Sequence, residues 1–155
     1  MYMKNIRIKF IKEEKQGIAN ALNTAIRNAS GEYIFRMDSD DISSSSRIEE
    51  TITFMKYNNL NICGTFIKKF GNSKSYIQYP ISNRSIRYAL KYCSPFAHPT
   101  VCFNSAIKER INYLNIIAED LHLWKTLAKY EDIVFGNVPQ YLLMYRTHVN
   151  QTVNQ

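Results

Sequence analysis

The sequence has few cysteines and none of the patterns that mark disulfide-rich or membrane-spanning proteins. Its three cysteines, Cys63, Cys93 and Cys102, are an odd number and show no C-x-x-C spacing. This argues against a disulfide framework or a zinc site and favours a reducing compartment. No apolar run reaches the length of a membrane span, and no signal-peptide pattern is present. These absences predict a cytoplasmic protein and leave open peripheral attachment to a membrane, at its inner face, through Lys and Arg.

Internal repeats, low-complexity linkers and shifts in composition are also absent, so nothing marks a domain boundary. The 155 residues, 45% of them hydrophobic, predict a single domain over 1–155. The formal net charge of +7 suggests an anionic partner, namely nucleotide phosphates, nucleic acid or an anionic membrane surface. Much of that charge is scattered Lys, so a solvated basic surface is the simpler explanation.

What the sequence does contain is an alternation of strand-like and helix-like segments. Residues 6–11 alternate apolar and basic side chains, residues 17–29 repeat apolar side chains at helical spacing, and residues 33–37 are typical of a buried strand. This order is that of a βαβ unit. Further helices are predicted over 47–58, 82–92, 104–110 and 119–130, and further strands over 62–70, 100–103, 133–135 and 141–145. The alternation predicts an α/β fold with a mostly parallel sheet flanked by helices.

Three carboxylates, Asp38, Asp40 and Asp41, follow directly after the predicted strand at 33–37. Ligands of open α/β sheets bind outside the carboxyl ends of strands. Clustered carboxylates attract a hard divalent cation, and Mg²⁺ or Mn²⁺ takes one or two of them together with phosphate oxygens. The cluster is therefore interpreted as a metal–diphosphate site. Spacing alone leaves open a solvated acidic turn, in which Asp41 would cap the next helix.

Several blocks of the sequence together resemble glycosyltransferase family 2 domains, which have the GT-A fold. The blocks are Gly17, Ala21 and Asn23; Gly31-Glu32-Tyr33-Ile34; Asp38-Ser39-Asp40-Asp41 with Arg47; Ala118 to Trp124; and Tyr145-Arg146-Thr147-His148. The resemblance implies a Rossmann-like GT-A domain that transfers a sugar from a nucleotide-sugar donor to a glycan or lipid-linked acceptor. It also implies dependence on Mn²⁺ or Mg²⁺, inverting stereochemistry, and a role in cell-surface polysaccharide or lipopolysaccharide biosynthesis.

The resemblance assigns the metal and donor groups residue by residue. Asp38 would lie near the ribose and the metal, Asp40 would be the more direct metal ligand, and His148 would supply a further one. Arg146 could pair with the diphosphate, as a guanidinium does well. Gly17 and Asn23 match positions that flank the donor nucleotide, although a helix start and a satisfied polar contact explain them equally well.

The resemblance also places a general base in the second half of the chain. Asp120 falls where the base that deprotonates the acceptor hydroxyl is expected, with Glu119 beside it. The same two acids suit the start of a helix, where they complement the helix dipole. His98 fits a block near the acceptor side, and a structural role explains it as well.

The start of the chain departs from the family pattern. Family members open with an apolar strand ending in a Pro-x-Tyr-Asn-like turn, and no match to that block is present. The domain is therefore predicted to be truncated at its N-terminus, with an exposed sheet edge that favours self-association. A catalytically inactive fragment or partner subunit is one alternative function. A basic nucleic-acid-binding domain is another, but no RNP-like, zinc-finger or helix-turn-helix pattern supports a nucleic-acid partner.

Overall fold

The computed structural model describes residues 8–148, in which helices pack against one six-stranded sheet. Two 3₁₀ helices, His98–Thr100 and Ser105–Arg110, flank the fifth strand. The other elements are α1 (Ile18–Asn28), β1 (Tyr33–Phe35), β2 (Ile42–Ser43), α2 (Arg47–Tyr57), β3 (Ile62–Gly71), β4 (Ser75–Ile77), α3 (Asn83–Ala89), β5 (Cys102–Asn104), α4 (Glu119–Leu127) and β6 (Phe135–Thr147). Within residues 8–148, no helix is long and apolar enough to cross a bilayer.

The sheet is mixed, and its strand order is β1-β5-β3-β6-β2. The short strand β4 pairs with β3 beyond the residues of β3 that pair with β5. Strands β3 and β6 run parallel, whereas the other four pairings are antiparallel. The predicted α/β class is confirmed, but the expectation of a mostly parallel sheet is wrong. A parallel pair needs a long crossover connection. Here that crossover is the segment between β3 and β6, which contains α3 and α4.

The predicted first strand is not formed where the structure describes it. Residues 8–11 are irregular, and the rest of the predicted strand lies outside the described residues. Strand β1 stands at one end of the strand order and pairs antiparallel with β5. The βαβ unit predicted over residues 6–37 is therefore absent from the described part of the chain, and self-association through the β1 edge stays a prediction.

The last predicted pair of strands, over 133–135 and 141–145, is a single long strand. β6 pairs with β3 from Ile62 opposite Phe135 to Gly71 opposite Thr147, and its register shifts near Phe66. The shift lets a strand that is interrupted by a polar segment remain in one ladder. Because β6 is continuous, it connects the buried centre of the sheet with the turn after β1.

The main core lies between the sheet and helices α1, α3 and α4. Trp124 is fully buried and contacts the rings of Phe96 and Phe103 at centroid distances of 5.3 and 5.8 Å. Arg87 fixes α3 against the end of α4, because its guanidinium donates to the carbonyls of Ala128, Tyr130 and Ile133. This packing holds α4 in place, and the first turn of α4 carries Glu119 and Asp120.

Candidate active site

The turn between β1 and β2 gathers the three carboxylates that the sequence singled out. One oxygen each of Asp38, Asp40 and Asp41 lies within 4.8 Å of the others. The turn is closed by the Asp41 N–H, which donates to the Asp38 carbonyl at 3.4 Å. Three carboxylates this close repel one another, and a divalent cation would relieve the repulsion.

Arg36 orients Asp38 through a bidentate ion pair. Its two terminal nitrogens, Nη1 and Nη2, lie 2.6 Å from the two oxygens of Asp38. The Arg36 side chain is 10% exposed and that of Asp38 is 37% exposed, so solvent screens this partly buried pair less than it would a pair on the open surface. Sequence reasoning missed Arg36, although residues two apart on an extended segment lie on the same side and would have indicated the pair.

Asp41 faces the cluster and does not cap the next helix. It is 8% exposed, and its Oδ1 accepts a hydrogen bond of 2.9 Å from the backbone N–H of Arg146. Its Oδ2 is buried and has no hydrogen-bond partner in the described part of the chain. Burial raises the pKa of Asp41, and the charges of Asp38 and Asp40 raise it further. The capping expectation is wrong, because Ser46 occupies the cap position of α2.

The end of β6 brings Arg146 and His148 to the same turn. Arg146 Nε donates to the Asp40 carbonyl at 2.9 Å, and its guanidinium lies 4.5 Å from the centroid of the Phe70 ring. His148 Nε2 lies 3.4 Å from Asp40 Oδ2. The structure thus gathers four of the residues that the sequence assigned to metal and diphosphate, although they are up to 110 positions apart.

The candidate base stands in the first turn of α4. Asp120 Oδ2 accepts a hydrogen bond of 3.3 Å from Ser94 Oγ, a partner that sequence reasoning missed. Ala118, at the N-cap, has φ 57° and ψ 46°, a left-handed conformation that costs a residue with a Cβ about 1–2 kcal/mol. Such strained positions cluster at functional sites.

Glu119 contacts a neutral histidine. His98 Nδ1 lies 3.8 Å from Glu119 Oε1, and His98 Nε2 lies 2.9 Å from the hydroxyl oxygen of Tyr113. Burial lowers the pKa of His98 to about 3, and the positive charge of Arg36 adds to the effect. The His98–Glu119 contact is therefore not an ion pair at neutral pH.

Two further side chains lie near the acids, Arg47 near Asp41 and Tyr79 near Asp120. Arg47 is 2% exposed, and its Nη2 donates to the carbonyl of Arg36 at 2.7 Å and to that of Pro99 at 3.0 Å. This fixes the backbone before Asp38 against the loop that holds His98. On another side, burial raises the pKa of Tyr79 to about 12, and the negative charge of Asp120 adds to the effect.

Gly17 and Asn23 hold a neighbouring loop. Asn23 donates from Nδ2 to the Tyr113 carbonyl at 2.8 Å and accepts from the Tyr113 N–H at 2.9 Å. Gly17 has φ +117°, and a Cβ there would lie 2.9 Å from Asn115 Oδ1, so a side chain would be both strained and crowded. Both residues position the loop at 113–115, and their contact with a donor nucleotide stays a prediction.

Comparison with known proteins identifies relatives of this chain. The sequence profile of the family described as "Glycosyl transferase family 2" matches residues 1–112. The O-antigen biosynthesis glycosyltransferase WbnJ of Escherichia coli is 33% identical over 152 residues, which are 94% of this chain and 59% of WbnJ. The Escherichia coli UDP-Gal:alpha-D-GlcNAc-diphosphoundecaprenol beta-1,3-galactosyltransferase is 32% identical over 127 residues, 77% of this chain and 46% of that protein. The chain thus spans about half the length of these relatives.

A solved structure supports the same fold. Residues 1–349 of Staphylococcus aureus TarS, in complex with UDP-GlcNAc, superpose with a TM-score of 0.62 over 83% of this chain and 38% of that one. The sequences are 18% identical, so this likeness shows the GT-A-like fold alone. With the family profile covering most of its residues, the chain belongs to glycosyl transferase family 2.

Proposed function

We propose that the described domain carries the metal, diphosphate and acceptor-activating groups of a sugar transferase. The donor would be a nucleotide-sugar and the acceptor a lipid-linked saccharide of cell-surface polysaccharide assembly. The names of two relatives support this class of substrates, since they specify UDP-Gal or UDP-Glc and diphosphoundecaprenol-linked GlcNAc. Two observations together carry the proposal: Asp38, Asp40 and Asp41 cluster in one turn, and Oδ2 of Asp41 is buried without a hydrogen-bond partner in the described part of the chain.

The residues of the turn fit a divalent cation. All three offer hard carboxylate oxygens within 4.8 Å, the ligand type that Mg²⁺ and Mn²⁺ prefer. Asp41 Oδ2 is a buried acceptor without a donor, a costly state that a cation would relieve. Asp38 and Asp40 are thus the proposed ligands, with Asp41 as a third and His148 as an additional candidate. Such an ion, when bound, neutralises charge on the departing diphosphate.

Two arginines complete the donor end of the site. Arg36 holds Asp38 in one orientation, so the carboxylate does not need to be ordered when the donor binds. Arg146 is anchored by the Asp40 carbonyl and by the Phe70 ring. A guanidinium at this place can pair with diphosphate oxygens as negative charge develops on them.

Asp120 is the proposed general base. It takes the proton from the acceptor hydroxyl, whose oxygen forms a bond to the anomeric carbon of the sugar while the bond from that carbon to the diphosphate oxygen breaks. The electron pair leaves with the diphosphate, and attack opposite to it inverts the anomeric configuration. The Ser94 hydroxyl orients Asp120 through its hydrogen bond. Glu119 lies beside His98 instead.

Thermal unfolding with Mn²⁺ and UDP tests the proposal. Together they should raise the melting temperature, because a ligand that binds only the native state stabilises it by about 2.7 kcal/mol at a hundredfold excess over Kd. Asp40→Asn should abolish this shift and leave the ligand-free protein folded. Asp132→Asn is the matched control, since Asp132 is 65% exposed and pairs with Arg110 at the surface. A full shift in Asp40→Asn would show that the cation binds elsewhere or not at all.

A further inference from the structure

Acidic residues are absent from a long internal stretch of the sequence. Between Glu50 and Glu109 the chain has 58 residues without Asp or Glu, although the whole sequence contains 13. The same stretch holds eight basic residues: Lys56, Lys68, Lys69, Lys74, Arg84, Arg87, Lys91 and Lys108. The positive charge of the molecule is thus concentrated in the elements from the end of α2 to the region before α4.

One part of this stretch combines positive charge with exposed aromatic rings. We call it the α3 face: Arg84 and Tyr88, one helical turn apart in α3, with Lys91 and Tyr92 in the turn that follows. Tyr88 is 61% exposed and Tyr92 73% exposed, with ring centroids 5.6 Å apart. Lys91 Nζ lies 5.5 Å from the centroid of the Tyr88 ring. A shallow depression of about 590 Å³ runs along this face.

The α3 face is firmly supported from beneath. Ile86 and Leu90 are buried in the main core, and Arg87 is bound to three carbonyls at the end of α4. Arg84 and Lys91, in contrast, form no ion pair within residues 8–148. Their charges are therefore not neutralised by the described part of the fold, and they remain available to an external anionic surface.

The α3 face lies on the side of the candidate base. Ser94, whose hydroxyl donates to Asp120, follows Tyr92 by two residues. Two residues span at most about 7 Å of extended backbone. A surface that receives Lys91 and Tyr92 would therefore come close to the group that is proposed to deprotonate the acceptor.

We propose that the α3 face docks the protein on an anionic phospholipid bilayer. Lys and Arg near such a surface are attracted by its negative potential, and tyrosine favours the boundary between headgroups and acyl chains. The two rings pack against each other and Lys91 covers Tyr88, an arrangement less suited to stacking nucleic-acid bases. The inference rests on the proposed function in one respect, since the docked membrane would be the source of a lipid-linked acceptor.

Sedimentation with vesicles tests the docking. The full 155-residue chain should bind vesicles of 30% phosphatidylglycerol in phosphatidylcholine, should bind pure phosphatidylcholine weakly, and should be released by 0.5 M NaCl (roughly a 3–5 Å screening length). Arg84→Gln with Lys91→Gln should weaken binding roughly 25-fold, because each basic residue near the surface contributes about a fivefold factor. Adding Tyr88→Ser and Tyr92→Ser to that double variant should weaken vesicle binding further.

The matched control is Lys15→Gln with Lys56→Gln, which removes the same charge from exposed positions outside the α3 face. This pair should weaken vesicle binding less than threefold. Equal losses in both double variants would overturn the proposal, because attraction would then follow net charge alone. Binding of random RNA that is tighter than vesicle binding and lost in the α3-face variant would assign a nucleic-acid partner instead. The Mn²⁺–UDP thermal shift does not involve these residues, so failure of docking is distinguishable from failure of the proposed transferase activity.

Discussion

At the scale of single residues, His98 shows how burial sets the chemistry of the acceptor side. It lies between the Tyr113 hydroxyl and the Trp124 ring, with Glu119 beyond its other nitrogen. Burial lowers its pKa to about 3, so it stays neutral near pH 6.5, at which an exposed histidine would be half charged. A neutral ring can accept from the Tyr113 hydroxyl with Nε2 and carry its proton on Nδ1, which faces Glu119 at 3.8 Å.

Acid should destabilise the protein through His98. In the unfolded chain its pKa is near 6.5, whereas in the folded chain it is about 3, so between these values the unfolded state binds more protons. The stabilising contribution is complete above pH 6.5 and is lost as the pH falls towards 3, with a limiting slope of about 1.4 kcal/mol per pH unit.

Urea unfolding between pH 7 and pH 4.5 measures this effect. His98→Gln keeps a donor and an acceptor at the site but does not titrate, so its free energy of unfolding should fall less steeply with acid. The carboxylates of the protein titrate in both variants, so their contributions cancel in the difference between the two free energies of unfolding. Parallel curves for the two proteins would show that His98 is not a buried neutral group.

At the scale of elements, α4 places two acids in its first turn, where two interpretations of Glu119 and Asp120 compete. Both acids suit a helix start on dipole grounds alone. The two acids differ in their contacts, because the Asp120 carboxylate accepts from the hydroxyl of Ser94 whereas Glu119 lies beside a neutral histidine. The left-handed Ala118 before them is the backbone cost of this placement.

Asp120→Asn should lower turnover by roughly a hundredfold or more, the usual contribution of a general base. Its Mn²⁺–UDP thermal shift should be unchanged, because a base acts mainly in the transition state. Release of UDP from UDP-Gal or UDP-Glc, with a membrane lipid extract as acceptor source, is the measurement. Glu119→Gln is the control and should retain more activity; the reverse ranking would exchange their roles.

Helices were predicted from the sequence more accurately than strands. Residues 17–29 gave α1 almost to the residue, because an amphipathic helix is encoded locally by its own periodicity. Strand partners are not encoded locally. The pairing of β1 with β5, and the continuity of β6 through its register shift, depend on segments far apart in the chain.

The site was predictable where a motif carried it. The resemblance predicted that Asp38, Asp40, Arg146 and His148 lie near one another, and they do, but their roles towards a metal and a diphosphate stay a prediction. The positioning residues were not predictable in the same way. Ser94 is an ordinary polar residue whose role appears only when the fold brings it to Asp120, whereas the pair of Arg36 with Asp38 could have been predicted from their spacing. Asp41 was misassigned because a local cap is the default for an acid before a helix.

At the scale of the whole molecule, Asn137 joins three separate segments. Its Nδ2 donates to the carbonyls of Pro80 at 2.7 Å and Pro95 at 3.0 Å, from a fully buried position on β6. The first carbonyl precedes α3 and the second belongs to the loop beside Ser94. One amide therefore ties the α3 face and the segment beside the candidate base to β6.

Asn137→Ala should lower the free energy of unfolding by about 2–4 kcal/mol, because it leaves two carbonyls without their donor and opens a small cavity. Chemical denaturation measures the loss. Asn58→Ala is the control, since Asn58 is exposed and its side chain donates to the Phe54 carbonyl one turn earlier. Similar losses in both variants would show that Asn137 is not a structural tie.

The hydrogen bond from the Arg146 N–H to Asp41 joins residues 105 positions apart, and it has a consequence for the order of folding. During synthesis the carboxylate turn is made early, but its partners on β6 are among the last described residues to emerge. Until then, three repelling carboxylates lack the N–H that holds Asp41. Contacts of such long sequence separation slow folding, because loop closure must be paid before they form. The proposed cation site should therefore be among the last parts of the domain to mature, and a nascent chain that ends before residue 146 should show no affinity for Mn²⁺.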